Sequence, residues 1–261
     1  LGSAKYRDFD PGLVREVGAR ELAKGRDTRA AIKATKSKLH QVSGVYQGGR
    51  EDYAGWLADL AAAYAADPGG RGGAVRAASA RIMEHHASTG ERLPILGPFY
   101  DAIFGALPPI GTVLDVACGL NPLALPWMPL APGASYAACD IDQRLIGFLD
   151  GYLALPPVRG RAELRDVTRD PPPPPADLAL ILKAIPCLEQ LDREAGRRLL
   201  DTIRARHLAI SFPARSLGGR DKGMAATYRA RFAALAAGRD WAVESFEFPS
   251  ELVFVVTTPG E

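Results

Sequence analysis

Hydrophobic and polar positions follow two different rhythms along this chain. Up to about residue 105 the rhythm is helical. With Asp27 as N-cap, Ile32, Leu39, Val42 and Tyr46 recur on a 3.6-residue period and predict one packed helix face. Arg26, Arg29, Lys33, Lys36 and His40 form a second stripe on the same helix, turned by about 100°. Another helix is predicted over residues 52–66, through Tyr53, Trp56, Leu57, Leu60 and Tyr64; it stops at Asp67-Pro68-Gly69-Gly70. A third covers residues 74–86. From residue 112 short apolar runs (112–116, 135–139, 162–164, 178–182, 207–212) alternate with amphipathic stretches at 142–153, 189–206 and 223–237. Strands separated by helices build a mostly parallel sheet. The last two strands, 242–248 and 252–257, are joined only by Pro249-Ser250-Glu251, too short for a helix. The prediction is an α/β, doubly wound sheet closed by a C-terminal antiparallel hairpin and preceded by a small N-terminal helical domain. The boundary falls between residues 1–105 and 106–261. Residues 171–175 are five prolines, read as a stiff surface spacer.

In such sheets ligands bind at the carboxyl ends of the strands, where strand order switches. The first strand runs into Asp115-Val116-Ala117-Cys118-Gly119-Leu120-Asn121-Pro122, whose small residues at 117 and 119 allow close backbone approach. The second ends in Cys139-Asp140-Ile141-Asp142, the third in Arg165-Asp166-Val167, the fourth in Leu182-Lys183-Ala184. An acid at the second strand's tip suits a ribose diol. A nicotinamide dinucleotide and S-adenosylmethionine both fit that pattern. GxGxxG is absent, and Asn121-Pro122 stands where a helix N-terminus would cradle pyrophosphate, which favours the phosphate-free cofactor. No GxxxxGK[ST] loop occurs.

Composition changes the picture in one respect, the distribution of charge. The 261 residues carry 32 basic and 30 acidic side chains, a net +2 that predicts no partner. Residues 1–50, however, hold 11 basic against 5 acidic residues, and residues 203–239 hold 8 against 1. Two basic blocks around an acidic remainder suggest a polyanionic partner. The 25:7 excess of Arg over Lys is equally a mark of G+C-rich coding and carries no argument. Three cysteines, odd in number and without CxxC spacing, point away from disulfides and zinc and toward a reducing cytoplasm. No apolar run reaches the roughly 18 residues of a membrane span, and the first ten residues lack a secretory h-region.

Four stretches together resemble a known family. They are His86-Ala87-Ser88-Thr89-Gly90-Glu91-Arg92-Leu93-Pro94, Asp115 to Ala124, Leu182 to Gln190, and Ser211-Phe212-Pro213-Ala214-Arg215-Ser216-Leu217-Gly218-Gly219-Arg220. In that order they resemble the aminoglycoside-resistance 16S rRNA methyltransferases that modify guanine N7 (guanine 1405) in the decoding A site. The basic helix with Thr35-Lys36-Ser37-Lys38-Leu39-His40 and Tyr46 resembles the family's N-terminal region, so the likeness runs from about residue 20 to 258. Gly90 replaces a usually larger residue, and Ala214-Arg215 stands where Thr-Lys is common.

The resemblance implies a class I, Rossmann-like methyltransferase domain whose cofactor is S-adenosylmethionine. Asp140 would hold the ribose and Asp166 the adenine amino group, with Ile141 and Val167 on the ring. Ala117 and Gly119 would approach the methionine part, and Arg92 would fork onto its carboxylate. His86, Ser88, Lys183 and Gln190 would line the same pocket. Phe212, Pro213 and Arg215 would position the target base, extruded from its stack. Arg26, Arg29, Lys33, Lys36, Lys38 and Arg50, with Arg215, Arg220 and Lys222, would grip rRNA phosphates without reading sequence. The partner would be 16S rRNA in the assembled 30S subunit, in the cytoplasm, with no membrane, no metal and no obligate protein partner.

Guanine N7 carries an in-plane lone pair and no proton, so neither a general base nor a covalent intermediate is needed. Alignment is what the enzyme must supply. Cys118 is therefore read as a small packing residue rather than a nucleophile. Two rivals remain, an adenine-N1 methyltransferase of the same fold and a non-catalytic ribosome-binding or assembly factor.

Overall fold

A computed structural model of the chain describes residues 11–42, 51–155, 157, 159–170, 174–214 and 224–259. A seven-stranded sheet organises them: β1 Thr112–Val116, β2 Ser135–Asp140, β3 Arg159–Leu164, β4 Ala176–Leu182, β5 Ala205–Pro213, β6 Ala242–Glu247 and β7 Glu251–Thr257. Their order is β3-β2-β1-β4-β5-β7-β6. The first five run parallel, while β7 is antiparallel to both β5 and β6. The expected hairpin closure is present, with Glu251 as the first residue of β7 instead of part of the turn. The direction of winding reverses between β1 and β4, and that is where such a sheet opens a crevice.

Ten α-helices occur among the described residues. They are α1 Pro11–Ala23, α2 Thr28–Val42, α3 Tyr53–Ala66, α4 Gly73–Met83, α5 Ala87–Arg92, α6 Leu96–Gly105, α7 Gln143–Leu153, α8 Ala184–Leu191, α9 Ala195–Thr202 and α10 Met224–Ala236. Side-chain oxygens of Asp27, Asp52 and Asp142 accept from the first-turn amides of α2, α3 and α7, which fixes those starts where the sequence puts them. The helix expected over 74–86 stops early. His86 is extended, and the Thr89 hydroxyl donates to the Met83 carbonyl at 2.7 Å, terminating α4 and opening α5. The single helix expected over 189–206 is two, because Asp192 is extended and its Oδ1 accepts from the Glu194 amide at 3.0 Å.

Alternate side chains of the buried strands serve the sheet's two faces. Leu178, Leu180 and Leu182 of β4 join α3, α4, α6 and α7 in one apolar cluster. Ala179 and Ile181 join α8, α9 and α10 in the other. The core is continuous across residue 105, where the sequence reading divides the chain, since Leu60, Tyr64, Val75, Ile82 and Phe99 share the first cluster with the sheet. A separate small cluster joins α1 and α2 to α8, through Leu13, Val17, Leu39 and Leu191. In α2 the buried stripe is Ala31, Thr35 and Leu39, while Ile32, expected on the packed face, is 39% exposed. Tyr46 lies outside the described residues. Between β1 and β2 the chain forms a 3-10 segment, Asn121–Trp127, with Pro122 and Pro126 in place of an α-helix. No described helix is long and apolar enough to cross a membrane.

Candidate functional site

The carboxyl ends of β1 to β4 open into a cleft of about 80 Å3. Ala117 and Gly119 line it from the loop after β1, Asp140 and Ile141 from the tip of β2, and Asp166 and Val167 from the loop after β3. Lys183 lines it at the end of β4, and His86 and Ser88 at the junction of α4 and α5. Nine of the eleven cofactor residues named from sequence thus converge on one crevice at the switch point.

The backbone there is sharply turned. Ala117 has φ +51° and Lys183 φ +56°, left-handed conformations that residues bearing a Cβ seldom adopt. Gly119 has φ +50°, and a Cβ on it would stand 2.7 Å from His86 Nε2. The imidazole therefore fills space that only glycine leaves open. Ser88 Oγ lies 3.0 Å from the His86 Nδ1. Burial, then the cations of Arg92 and Lys183, push the His86 pKa down to about 4, so the ring is neutral at pH 7.

The two acids differ in what they already hold. Asp140 Oδ2 accepts from the Gly119 amide at 3.0 Å, while Oδ1 accepts from the Ile141 and Asp142 amides at 2.7 and 3.3 Å. Burial raises the Asp140 pKa, and those three amides oppose the rise. A carboxylate has about four acceptor positions, so the geometry leaves room for a hydroxyl. Asp166 Oδ1 accepts from the Thr168 amide and hydroxyl at 2.9 and 2.6 Å. Its Oδ2 is buried with no partner among the described residues, an acceptor that calls for a donor from a ligand. An adenosine answers both acids, with a diol for Asp140 and an amino group for Asp166. The 3-10 segment after β1 offers no α-helix N-terminus for a pyrophosphate, so the donor set fits S-adenosylmethionine better than a dinucleotide.

Arg92 and Gln190 are placed elsewhere. Arg92 is fully buried, and its Nε and one terminal nitrogen donate to Glu251 Oε2 and Oε1 at 2.9 and 2.8 Å. Its other terminal nitrogen donates to Asn121 Oδ1 at 2.9 Å. The fork expected for a ligand carboxylate is thus filled by a protein carboxylate, since a buried guanidinium needs a fixed counter-charge. Asn121 carries the network on to Asp115 Oδ2 at 2.9 Å, which Tyr136 also reaches at 2.6 Å. Burial lifts the Asp115 pKa to about 7. Two cations line the cleft instead: Lys183, with Nζ 2.8 Å from Glu91 Oε2 and 3.5 Å from Glu251 Oε2, and Arg165, with Nε 2.8 Å from Glu163 Oε1. Gln190 is exposed, beyond the cleft on α8, and its carbonyl accepts from Lys38 Nζ at 3.1 Å.

Phe212 is core. It is fully buried, stacked on Tyr228 at 5.1 Å and edge-on to Phe254 at 6.1 Å, so a flipped base does not reach it here. Pro213 ends β5, half-buried and paired in register with Glu251. Arg50, Arg215, Arg220 and Lys222 lie outside the described residues. Burial holds the Cys118 thiol far above its usual range and Cys139 at about 12, as expected of packing residues rather than nucleophiles.

The basic stripe of α2 divides. Arg26 Nε and Lys38 Nζ lie 3.1 and 3.2 Å from Glu21, a buried acid of α1 that also binds Lys24 at 2.6 Å. Hydrogen bonding from Lys24, then Lys38, keeps the Glu21 carboxyl below its usual range despite burial. Arg29 and Lys33 are exposed, with no ion pair to a described residue, and Lys36 is half-buried. In the second basic block Arg206, Arg229, Arg231 and Arg239 each pair with an acid, Asp177, Glu247, Glu189 and Asp201 respectively. Sequence reasoning missed Leu13, Thr168, Cys187, Leu188 and Leu191 on the cleft wall. It also missed Glu251, whose place in a presumed turn gave no signal of burial.

Comparison with known proteins gives three concordant results. The family described as ribosomal RNA methyltransferase (FmrO) matches residues 2–255. The chain is 44% identical over 257 residues to a 16S rRNA (guanine(1405)-N(7))-methyltransferase of Frankia casuarinae, covering 97% of this chain and 89% of that protein. It is 40% identical to the enzyme of that name from Micromonospora echinospora, over 97% and 92%. Among solved structures, the 16S rRNA methyltransferase RmtF in complex with S-adenosyl-L-homocysteine superimposes with a TM-score of 0.79 at 31% identity, over 98% of this chain and 95% of that one.

Proposed function

The chain belongs to the ribosomal RNA methyltransferase (FmrO) family, and from that membership we propose that it methylates N7 of guanine 1405 in 16S rRNA, using S-adenosylmethionine, on the assembled 30S subunit. The observation that carries the reading is the pair of strand-tip acids. Asp140 keeps an acceptor position open beside three backbone amides, and Asp166 holds an orphan acceptor on the same wall. Ile141 and Val167 offer apolar surface between them for a purine ring.

When bound, S-adenosylmethionine supplies an activated methyl group on a sulfonium. The residues of this chain do the positioning. Asp140 takes the ribose diol and Asp166 the adenine amino group. Ala117 and Gly119 would bring backbone against the methionine part, and Lys183 on the cleft wall would serve its carboxylate. His86, neutral at pH 7, packs the Gly119 turn without adding charge beside a cationic cofactor. No side chain has to remove a proton, because guanine N7 has none.

The docking part of residues 1–105 is α1 with α2, the one described portion held to the sheet through its own small cluster. Arg29 and Lys33 present charge that no described acid neutralises, and they are the first candidates to meet rRNA phosphates. Recognition then rests on the folded shape of the RNA and not on base contacts at this helix. Modification at that nucleotide confers resistance to aminoglycosides that bind the decoding site, and the site of action is the cytoplasm. The test is transfer of labelled methyl from S-adenosylmethionine to assembled 30S subunits and to naked 16S rRNA. Label entering 30S far faster than naked rRNA supports the proposal; equal rates remove the 30S requirement, and no label in either removes the enzyme.

A further inference from the structure

One wall of the cofactor cleft takes a residue from outside the sheet domain. Leu13 of α1, only 3% exposed, lines it together with Leu188 and Leu191 of α8. The same leucine sits in the cluster with Val17, Leu39 and Leu191 that joins α1 and α2 to α8, and Ile141 packs against that cluster from the tip of β2. One apolar contact surface therefore runs from the inner face of α2, through Leu13, to the residue beside Asp140. Polar ties hold α1 in that position. Glu16 lies 3.4 Å from Arg169, three residues beyond Asp166, and the Arg20 guanidinium donates to the Leu191 carbonyl at 2.9 Å.

We infer that α1 is a component of the cofactor site, Leu13 closing the adenosine end of the cleft, so that rRNA docking by α2 and cofactor binding are energetically coupled. This rests on the placement of S-adenosylmethionine in this cleft. A helix that touches the cofactor on one side and packs the phosphate-gripping helix on the other is ordered by either ligand. Whichever binds first spares the second part of that ordering, and the coupling is reciprocal. The cleft with α1 seated is the complete site.

Calorimetry of S-adenosylhomocysteine with the full chain tests the inference. Leu13→Ala removes roughly three apolar carbons from the wall and is expected to weaken binding about tenfold. Leu22→Ala, on the exposed side of the same helix, leaves it unchanged. Affinity for 30S subunits is then measured with and without saturating S-adenosylhomocysteine. In the wild type the cofactor product strengthens 30S binding by about fivefold or more, and in Leu13→Ala that ratio falls toward one. Wild-type hydrogen exchange supplies a readout independent of how the variant folds: amides 13–20 slow when S-adenosylhomocysteine is added. Unchanged exchange in α1, unchanged affinity in Leu13→Ala, or 30S binding indifferent to the ligand in the wild type overturns the inference. If the wild type binds no S-adenosylhomocysteine, or Asp140→Asn binds it normally, the cofactor placement itself fails. Loss in Asp140→Asn with none in Leu13→Ala rejects only the role of α1.

Discussion

Arg92 and Glu251, 159 residues apart in the chain, meet in a buried two-pronged ion pair directly behind the cleft. Ser211 Oγ donates to the same carboxylate at 2.5 Å, and Lys183 Nζ approaches it at 3.5 Å. One acid from the terminal hairpin thus joins α5, β5 and the tip of β4. Removing one partner leaves a charge buried without compensation, which costs about 3–5 kcal/mol. Glu251→Ala is therefore expected to lower unfolding free energy by about that amount in urea titration. A loss below about 1 kcal/mol would show that the pair does not hold these elements together.

The Asp140 carboxylate accepts three backbone amides, and in the proposed site it would take a ligand hydroxyl as well. Asp140→Asn removes the charge that favours a diol, and cofactor affinity should fall by about 30-fold, in line with one or two charged hydrogen bonds. Binding to 30S subunits without cofactor should persist, because α2 lies apart from this acid. Unaltered calorimetry with S-adenosylhomocysteine would remove Asp140 from the cofactor site.

Arg29 and Lys33 face solvent, while Arg26 and Lys38 are drawn toward Glu21. Replacing the first two by Glu should weaken 30S binding and flatten its log–log salt dependence by about 1.5 units, roughly 0.7–0.9 per lost phosphate contact. An unchanged slope would return this face to ordinary solvated surface.

His86 should titrate near pH 4, followed by NMR of its ring resonances. The sign of the linkage follows. The folded-state pKa lies below the unfolded value of about 6.5, so the unfolded chain binds more protons between those limits. Stability from this group is complete above pH 6.5 and drains away as pH falls toward 4. His86→Gln should flatten that part of the stability profile, and a midpoint near 6.5 would show the ring to be solvated.

The structure imposes no glycine at Gly90. A Cβ would meet the Glu84 carbonyl at 3.5 Å, ordinary contact, inside the short helix α5. Gly90→Ala should raise stability by about 0.5–1 kcal/mol through the unfolded chain's lost freedom, seen as a higher melting temperature. A lower one would mean that the α4–α5 junction needs glycine.

The sheet was legible because each buried strand is a short apolar run between turn residues, and Asp140 and Asp166 were legible as acids at strand ends. What stayed hidden depends on contacts far apart in the chain. Leu13 is an unremarked leucine until α1 packs on α8. The partner that takes Arg92 from the ligand is Glu251, a residue the pattern assigns to a turn. The break at Asp192 was invisible because apolar periodicity continues through it, and an Asp side chain turning back on its own backbone leaves no trace in that period. Charge arithmetic overstated the second basic block for a similar reason, since acids outside the window neutralise four of its arginines.

The central claim is methyl transfer to one guanine N7 of 16S rRNA, and mapping the modified nucleotide tests it most directly. Subunits from a sensitive strain are treated with enzyme and S-adenosylmethionine. The extracted rRNA is cleaved at N7-methylguanine by borohydride and aniline, and the break is located by primer extension. The expected result is one new enzyme-dependent break, at guanine 1405. An extension stop at an adenine without chemical cleavage, or no modification in 16S rRNA at all, contradicts it.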